Sequence, residues 1–358
     1  MELQRPDLSQ AAPEIRAYIE ALEGEIERLR EKGARAKPKR EAAEVFDEAS
    51  LPPLEPSEPP TTIQVITATT SGLAKRTYRH LYTRQHRGGM GVFGMELGKD
   101  EVPQILSLAD EGQTLLLITD QARAFRLPLG QVPEGEVNGR GGPVTSRLSL
   151  NQGERLAAIL PVQAQGYIAM VSRKGMVRLL RHHIFGEYMK AGAVLYDEKT
   201  FGPLASACWT PRDGDLFIAT RQGRAIRFSE KLVPPTGGMG IRLSDGDEAV
   251  AITPVYDDSG VFMLGADGRG TIRLMEGFNP NKAPGAGGKN AMNTEKLVGA
   301  ARVEAGDDIL IVSRLGKVIR FSAEEVPPKD GVVQGVNCMA FRADEATALA
   351  VAQPQTAL

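Results

Sequence analysis

Six times after Ile63 the chain repeats one plan: an apolar strand, a polar turn usually containing glycine, and a second strand with a basic residue near its middle. The segments are TTSGLAKRTY, ITDQARAFRL, VSRKGMVRLL, ATRQGRAIRF, GADGRGTIRL and VSRLGKVIRF. Aligning Arg76, Arg126, Leu179, Arg227, Arg273 and Arg320 gives steps of 50, 53, 48, 46 and 47 residues, too regular for unrelated hairpins. Each hairpin is followed by a Gly-rich segment: RGGMGVFGM, NGRGGPVTS, KAGAVLYD, TGGMGIRLS, APGAGGKNAM and GVVQGVNCM. Apolar runs such as LLLIT, YIAMVS, DLFIAT and DILIVS read as buried central strands. A unit of about 48 residues with about four strands has the size of a propeller blade, and six units close into a ring without long exposed edges. The expected fold class is therefore all-β, a six-bladed propeller-like array over residues 63–354.

Two segments precede the array. In residues 12–32, Ile15, Ile19, Leu22, Ile26 and Leu29 fall at alternating steps of four and three, one face of an α-helix. The seam exceeds two heptads only slightly and contains Gly24, so residues 1–32 read either as an amphipathic helix docked on another surface or as a homodimer contact through residues 12–32. Residues 33–62 mix a basic cluster, an acidic run and many prolines, the composition of an extended linker.

The formal net charge is -2, but residues 1–62 hold 9 Lys and Arg against 14 Asp and Glu, and the remainder 34 against 31. A mildly basic body can still carry a basic stripe, because local potential steers a polyanion. Cys208 and Cys338 stand outside any metal-ligand spacing and read as packing residues in a reducing compartment. No apolar run approaches the ~18 residues of a membrane span, and the N-terminus lacks a signal-peptide pattern, so a cytoplasmic, nucleoid-associated protein is expected.

The array, with GLAKRTYRHLYTRQHRGGMG in its first unit and GKVIRFSAEEVPP in its last, resembles the C-terminal β-pinwheel domain of DNA gyrase A and its topoisomerase IV relative. That resemblance implies a ring that bends duplex DNA around a basic outer rim. In the gyrase branch it also implies a first-blade box, Q-R-R-G-G-K-G, needed for complete wrapping. Gln85, His86, Arg87, Gly88, Gly89, Met90 and Gly91 stand in the box positions. His86 replaces an arginine and Met90 a lysine, leaving one fixed positive charge instead of three. The glycines keep a loop that turns tightly and presents N–H groups to phosphate. Bending, or a weakened wrapping, is the expectation.

Phosphate contacts on a rim ask for Lys and Arg along a curved path with few demands on sequence. The DNA-binding candidates are Lys75, Arg76, Arg79, Arg84, Gln85, His86, Arg87, Gly88, Gly89 and Gly91 in the first unit. Arg173, Lys174, Arg178 and Arg181 follow in the third, Arg221, Arg224 and Arg227 in the fourth, and Arg314, Lys317 and Arg320 in the sixth. The recurrent arginine at 76, 126, 227, 273 and 320 has a second reading as a fold element between blades. Tyr18 is the lone tyrosine ahead of the array, and no Walker loop, Ser-His-Asp set or metal cluster is present, so no enzyme, cofactor or metal is expected. His182 and His183 are adjacent and would point to opposite faces of a strand. The leading expectation is a non-catalytic binder of double-stranded DNA that modulates DNA topology. The alternatives are a protein-interaction propeller and a separately encoded accessory part of a gyrase or topoisomerase IV complex, with the components of a type II topoisomerase as partners.

Overall fold

A computed structural model describes residues 58–353 together with Ile19 and Glu23, both helical. Apart from those two positions, the helix expected over 12–32 and the linker as far as Ser57 lie outside the described residues.

Among the described residues the long strands form six sheets, each around one hairpin. Sheets 1 to 6 are numbered by their hairpins: Ile63–Thr69 with Leu73–Tyr78, Thr114–Thr119 with Arg123–Pro128, Tyr167–Ser172 with Met176–Arg181, Asp215–Thr220 with Arg224–Ser229, Gly260–Gly265 with Arg269–Leu274, and Asp308–Ser313 with Lys317–Ser322. The turns are alike because their chemistry is alike. In sheets 1, 2, 3 and 6 a hydroxyl at the end of the first strand accepts the N–H four residues on, as Thr69 does from Leu73 (3.0 Å) and Ser313 from Lys317 (3.1 Å). The residue between them in left-handed conformation is glycine in every turn but one, where Ala122 has φ 56°.

A third strand flanks each first strand: Pro103–Asp110, Leu156–Pro161, Leu204–Thr210, Ala249–Val255, Leu297–Val303 and Ala346–Ala352. These six strands are the inner edges. They surround an axial cavity lined by small side chains, among them Ala157, Ala205, Ala251, Ala301 and Ala348. Ala346–Ala352 packs against Pro103–Asp110, so the ring is closed.

The apolar runs are buried on both faces, since each sheet packs on two neighbours; Leu115, Leu116, Leu117 and Ile118 are all inaccessible to solvent. The core is accordingly divided among the junctions. Ile66, Leu117 and Phe125 fill the one between sheets 1 and 2, Phe217, Met263 and Phe278 that between sheets 4 and 5, and Val65, Tyr82 and Leu310 that between sheets 6 and 1.

One expectation is corrected. The four strands of a sheet do not come from one unit, because the outer strand is supplied by the next. Gly142–Pro143 completes sheet 1, Ala193–Val194 sheet 2, Gly238–Met239 sheet 3, Lys289–Asn290 sheet 4 and Val336–Asn337 sheet 5. Val92–Phe93 of the first unit completes sheet 6. The Gly-rich segments are thus exchange segments that lie along the outer edge.

Candidate nucleic-acid interface

The loop Gln85–Gly91 crosses the seam between the last and first units. Its amide of Gln85 donates to Arg320 O (2.7 Å), that of Gly88 to Cys338 O (2.8 Å), and Gly94 N–H to Gly316 O (2.8 Å). Gly91 has φ +70°, and a Cβ there would stand 2.7 Å from Val318 O, so the closing strand needs glycine. Arg87 spends its guanidinium on the seam, donating to Glu325 O (2.8 Å) and Asn337 O (3.2 Å). His86 instead is 98% exposed, 3.3 Å from the Glu325 carboxylate, and Met90 is 44% exposed.

Lys75 lies inside, contradicting its reading as a surface phosphate contact. Its Nζ donates to the carbonyls of Glu136 (2.7 Å), Val137 (2.6 Å) and Gly94. Burial pulls its pKa from 10.5 down to about 8. One ammonium therefore ties the first hairpin to the second unit's exchange segment and to the segment that closes the ring.

The recurrent arginine is a bracket. Arg227 pairs with Asp215 (2.8 Å) and Asp257 (2.5 Å) and donates to Met275 O (2.9 Å). Arg320 pairs with Asp308 (2.6 Å) and Glu58 (2.8 Å). Arg76 pairs with Glu134 (2.7 Å) and donates to Val132 O (2.8 Å), and Arg126 reaches Phe185 O (3.2 Å). Each guanidinium holds its hairpin to the chain that follows the next turn, where carbonyls converge. Arg79 is likewise buried, between Glu58 (3.0 Å) and Gln353 O (2.8 Å). Arg76, Arg79, Arg227 and Arg320 are corrected accordingly: their donors face protein, not solvent. Burial pushes the Glu58 carboxyl up, but the guanidiniums of Arg320 and Arg79 more than reverse this and hold it below 4.5.

A family model described as DNA gyrase C-terminal domain, beta-propeller, matches residues 64–102, 113–163, 214–255 and 307–332. A solved structure of the DNA gyrase A C-terminal domain superposes with a TM-score of 0.70 at 18% identity, covering 81% of this chain and 99% of that one. The ring has the fold of the DNA gyrase C-terminal β-propeller and matches that family over four of its six hairpins. A crystal structure of the C-terminal domain of DNA topoisomerase IV gives a TM-score of 0.59 at 16% identity, over 82% of this chain and 94% of that one. Similar proteins include the DNA gyrase A proteins of Mycoplasma pneumoniae, 26% identical over 293 residues, and of Mycobacterium leprae, 28% identical over 291 residues. These matches cover 78% and 77% of this chain but only 35% and 23% of those proteins. A separate model, for a protein of unknown function (DUF1192), matches residues 3–46. The hairpins outside the matched stretches of the gyrase-type propeller are the two without the bracket. Leu179 replaces the arginine in sheet 3, and in sheet 5 Arg273 leaves Nε and Nη1 buried without an acceptor.

The other candidates of this gyrase-type propeller do not share one path. Arg84 pairs with Asp308 (2.9 Å), and Arg224 pins the exchange segment through Gly287 O (3.1 Å) and Gly288 O (2.8 Å). Lys317 Nζ lies 5.0 Å from the Phe93 ring centre, Arg181 lies over Tyr167, and Arg178 Nε is buried without an acceptor. Arg173, Arg221 and Arg314 line the mouth of the axial cavity instead of the outer edge, because they follow the first strand of their hairpins directly. Lys174 is exposed on its turn.

Sequence reasoning passed over the cations of the exchange segments. Arg140, Lys190, Arg242, Lys282, Lys289 and Lys329 are exposed in the segments that complete sheets 1 to 5, with two of them, Lys282 and Lys289, in the fourth. The signal was available as one basic residue close to the glycines in NGRGGP, MKAG, MGIR, GGKN and PPKDG. Glu136, Glu187, Asp245, Glu276 and Asp330 are exposed in the same segments, so the edge is a series of separated cations and not a continuous basic belt. Its outward apolar positions, Phe93 (55% exposed), Val194 (69%) and Met239 (44%), fall on sheets 6, 2 and 3, with exposed Pro143 on sheet 1.

Proposed function

We propose that the propeller is a non-catalytic module that binds double-stranded DNA along its outer edge and bends it, with few phosphate contacts and no base readout. The observation that carries this reading is the recurrence of at least one exposed cation in each exchange segment on five successive sheets. A cation repeated at every blade of a closed ring offers phosphates a curved track, and contacts of that kind position a duplex without reading it. Five contacts imply a log–log salt slope of about -4 to -5. Binding of a duplex of some tens of base pairs, followed by anisotropy across a salt series, tests this. Absence of affinity at low salt, or affinity unchanged in an Arg140→Glu, Lys190→Glu, Arg242→Glu variant, would sink it. Closing nicked plasmid with ligase in the protein's presence and reading the linking number tells bending from wrapping.

The apolar positions on sheets 6, 1, 2 and 3 favour a second reading, a docking edge for a protein such as a component of a type II topoisomerase. Co-purification that survives high salt and is lost in Phe93→Glu, Val194→Glu, with duplex affinity retained, would select it.

A further inference from the structure

The mouth of the axial cavity is a second basic site, and it does not depend on the outer edge. It is a space of about 620 Å³ to which all six sheets contribute. Its walls are fixed by the backbone. In sheets 2 to 6 the residue after the first strand donates to the residue before the inner strand: Asp120 to Arg155 O (2.9 Å), Arg173 to Pro203 O, Arg221 to Glu248 O, Ala266 to Lys296 O and Arg314 to Glu345 O (2.8 Å each). Neighbouring sheets are joined the same way, Leu156 N–H to Thr70 O (2.9 Å), Leu204 to Asp120 O (2.9 Å), Ala249 to Arg173 O (3.1 Å), Leu297 to Arg221 O (2.7 Å) and Ala346 to Ala266 O (2.9 Å). At the sixth junction Pro103 has no N–H to give. This collar holds five cations, Arg155, Arg173, Arg221, Lys296 and Arg314, against three carboxylates, Asp120, Glu248 and Glu345.

The carboxylates are largely taken. Glu248 pairs with Arg221 (3.1 Å) and Glu345 with Lys296 (2.9 Å), while Asp120 accepts the backbone N–H of Arg155 (3.0 Å). Arg173 is left 3.9 Å from Glu248, and Arg314 donates only to Ala343 O (3.1 Å). Among the described residues the Arg155 side chain has neither a hydrogen bond nor an ion pair. Guanidiniums held on a rigid collar, half-exposed and short of counter-charge, are preorganised for an anion. The inner strands below supply mostly alanine, valine and leucine, so the charge is confined to the mouth. The space is too small for a duplex and large enough for a chain of linked phosphates.

We propose that the mouth binds a compact multivalent phosphate, either the phosphate chain of a nucleoside triphosphate or inorganic polyphosphate. Linked phosphates spread their charge over several guanidiniums of the collar, whereas orthophosphate engages fewer. The test is calorimetry on the full chain at fixed ionic strength with tripolyphosphate, ATP and orthophosphate. Tripolyphosphate is expected to bind one site at least about tenfold more tightly than orthophosphate. ATP binding as tightly identifies the phosphate chain as the whole ligand, and tighter ATP binding assigns the site to nucleotides. Arg155→Gln, Arg173→Gln, Arg314→Gln should weaken binding at least about tenfold. Glu248→Gln, which removes a competing carboxylate, should tighten it several-fold, a gain that misfolding cannot produce. Absence of binding, unchanged affinity in the triple variant, or no gain in Glu248→Gln overturns the proposal. Duplex affinity measured on the same triple variant should not change, and a parallel loss would overturn a separate site by assigning the mouth to the DNA path.

Discussion

Glu58 Oε1 lies 2.8 Å from Arg320 Nη1, although 262 residues separate the two in the chain. The same carboxylate holds Arg79 at 3.0 Å, so Glu58 bridges the first and sixth units. Arg320 keeps Asp308 when Glu58 is removed, which limits the loss. Glu58→Gln should therefore cost about 1–3 kcal/mol in urea unfolding at neutral pH. The folded-state pKa lies below 4.5, so this contribution is complete above that value and disappears as pH falls through the folded one. Wild type and variant should converge in stability in acid, and a constant difference down to the acid limit would disprove the assignment.

Lys75 sets the opposite pH dependence. Its folded pKa of about 8 lies below 10.5, so the unfolded chain binds the proton more tightly between those values and stability rises with pH across them. The full shift corresponds to about 3 kcal/mol as an upper estimate, since other groups also titrate there. Urea midpoints at pH 7.5 and 10 should show the gain in wild type and not in Lys75→Met. The variant should be less stable at both, because three carbonyls lose their donor.

Closure of the ring can be separated from the cost of a side chain in left-handed backbone. Gly91→Ala places a Cβ 2.7 Å from Val318 O, whereas Gly112, at φ +88°, has open space around it. Gly112→Ala should cost about 1 kcal/mol and Gly91→Ala clearly more, because strain is joined by displacement of Val92–Phe93 from Lys317–Val318. Limited proteolysis should cut the Gly91→Ala protein near the seam while leaving Gly112→Ala resistant.

The hairpins and their six-fold period were legible because apolar runs and turn glycines act locally, within ten residues. The exchange was not, since strands as short as Val92–Phe93 carry no periodicity and their partner lies at the far end of the array. The bracket arginine had a signal that went unread: an acceptor stands twelve positions earlier, Gln64 before Arg76, Asp215 before Arg227 and Asp308 before Arg320. A buried guanidinium needs such a partner, and an arginine meant for phosphate does not. Lys75 was misread for a related reason. Its acceptors are backbone carbonyls of two other segments, which no residue type announces.

The loop Gln85–Gly91 offers the sharpest test of whether the proposed DNA path crosses the seam. His86 and Met90 both face solvent while the glycines between them keep the loop in place, so charge can be added without disturbing the seam. His86→Arg with Met90→Lys adds two fixed cations beside Arg87, whose own charge is bound to Glu325 and Asn337. If the loop lies on the DNA path, the double variant should bind duplex several-fold more tightly at low salt. Its log–log salt slope should also steepen by about 1–2, one increment per new phosphate contact. The glycines are the control: Met90→Lys in a Gly91→Ala background should gain nothing, because the loop that presents the lysine is displaced. A steeper slope in that background as well would place the added charge in a non-specific field and remove the loop from the path.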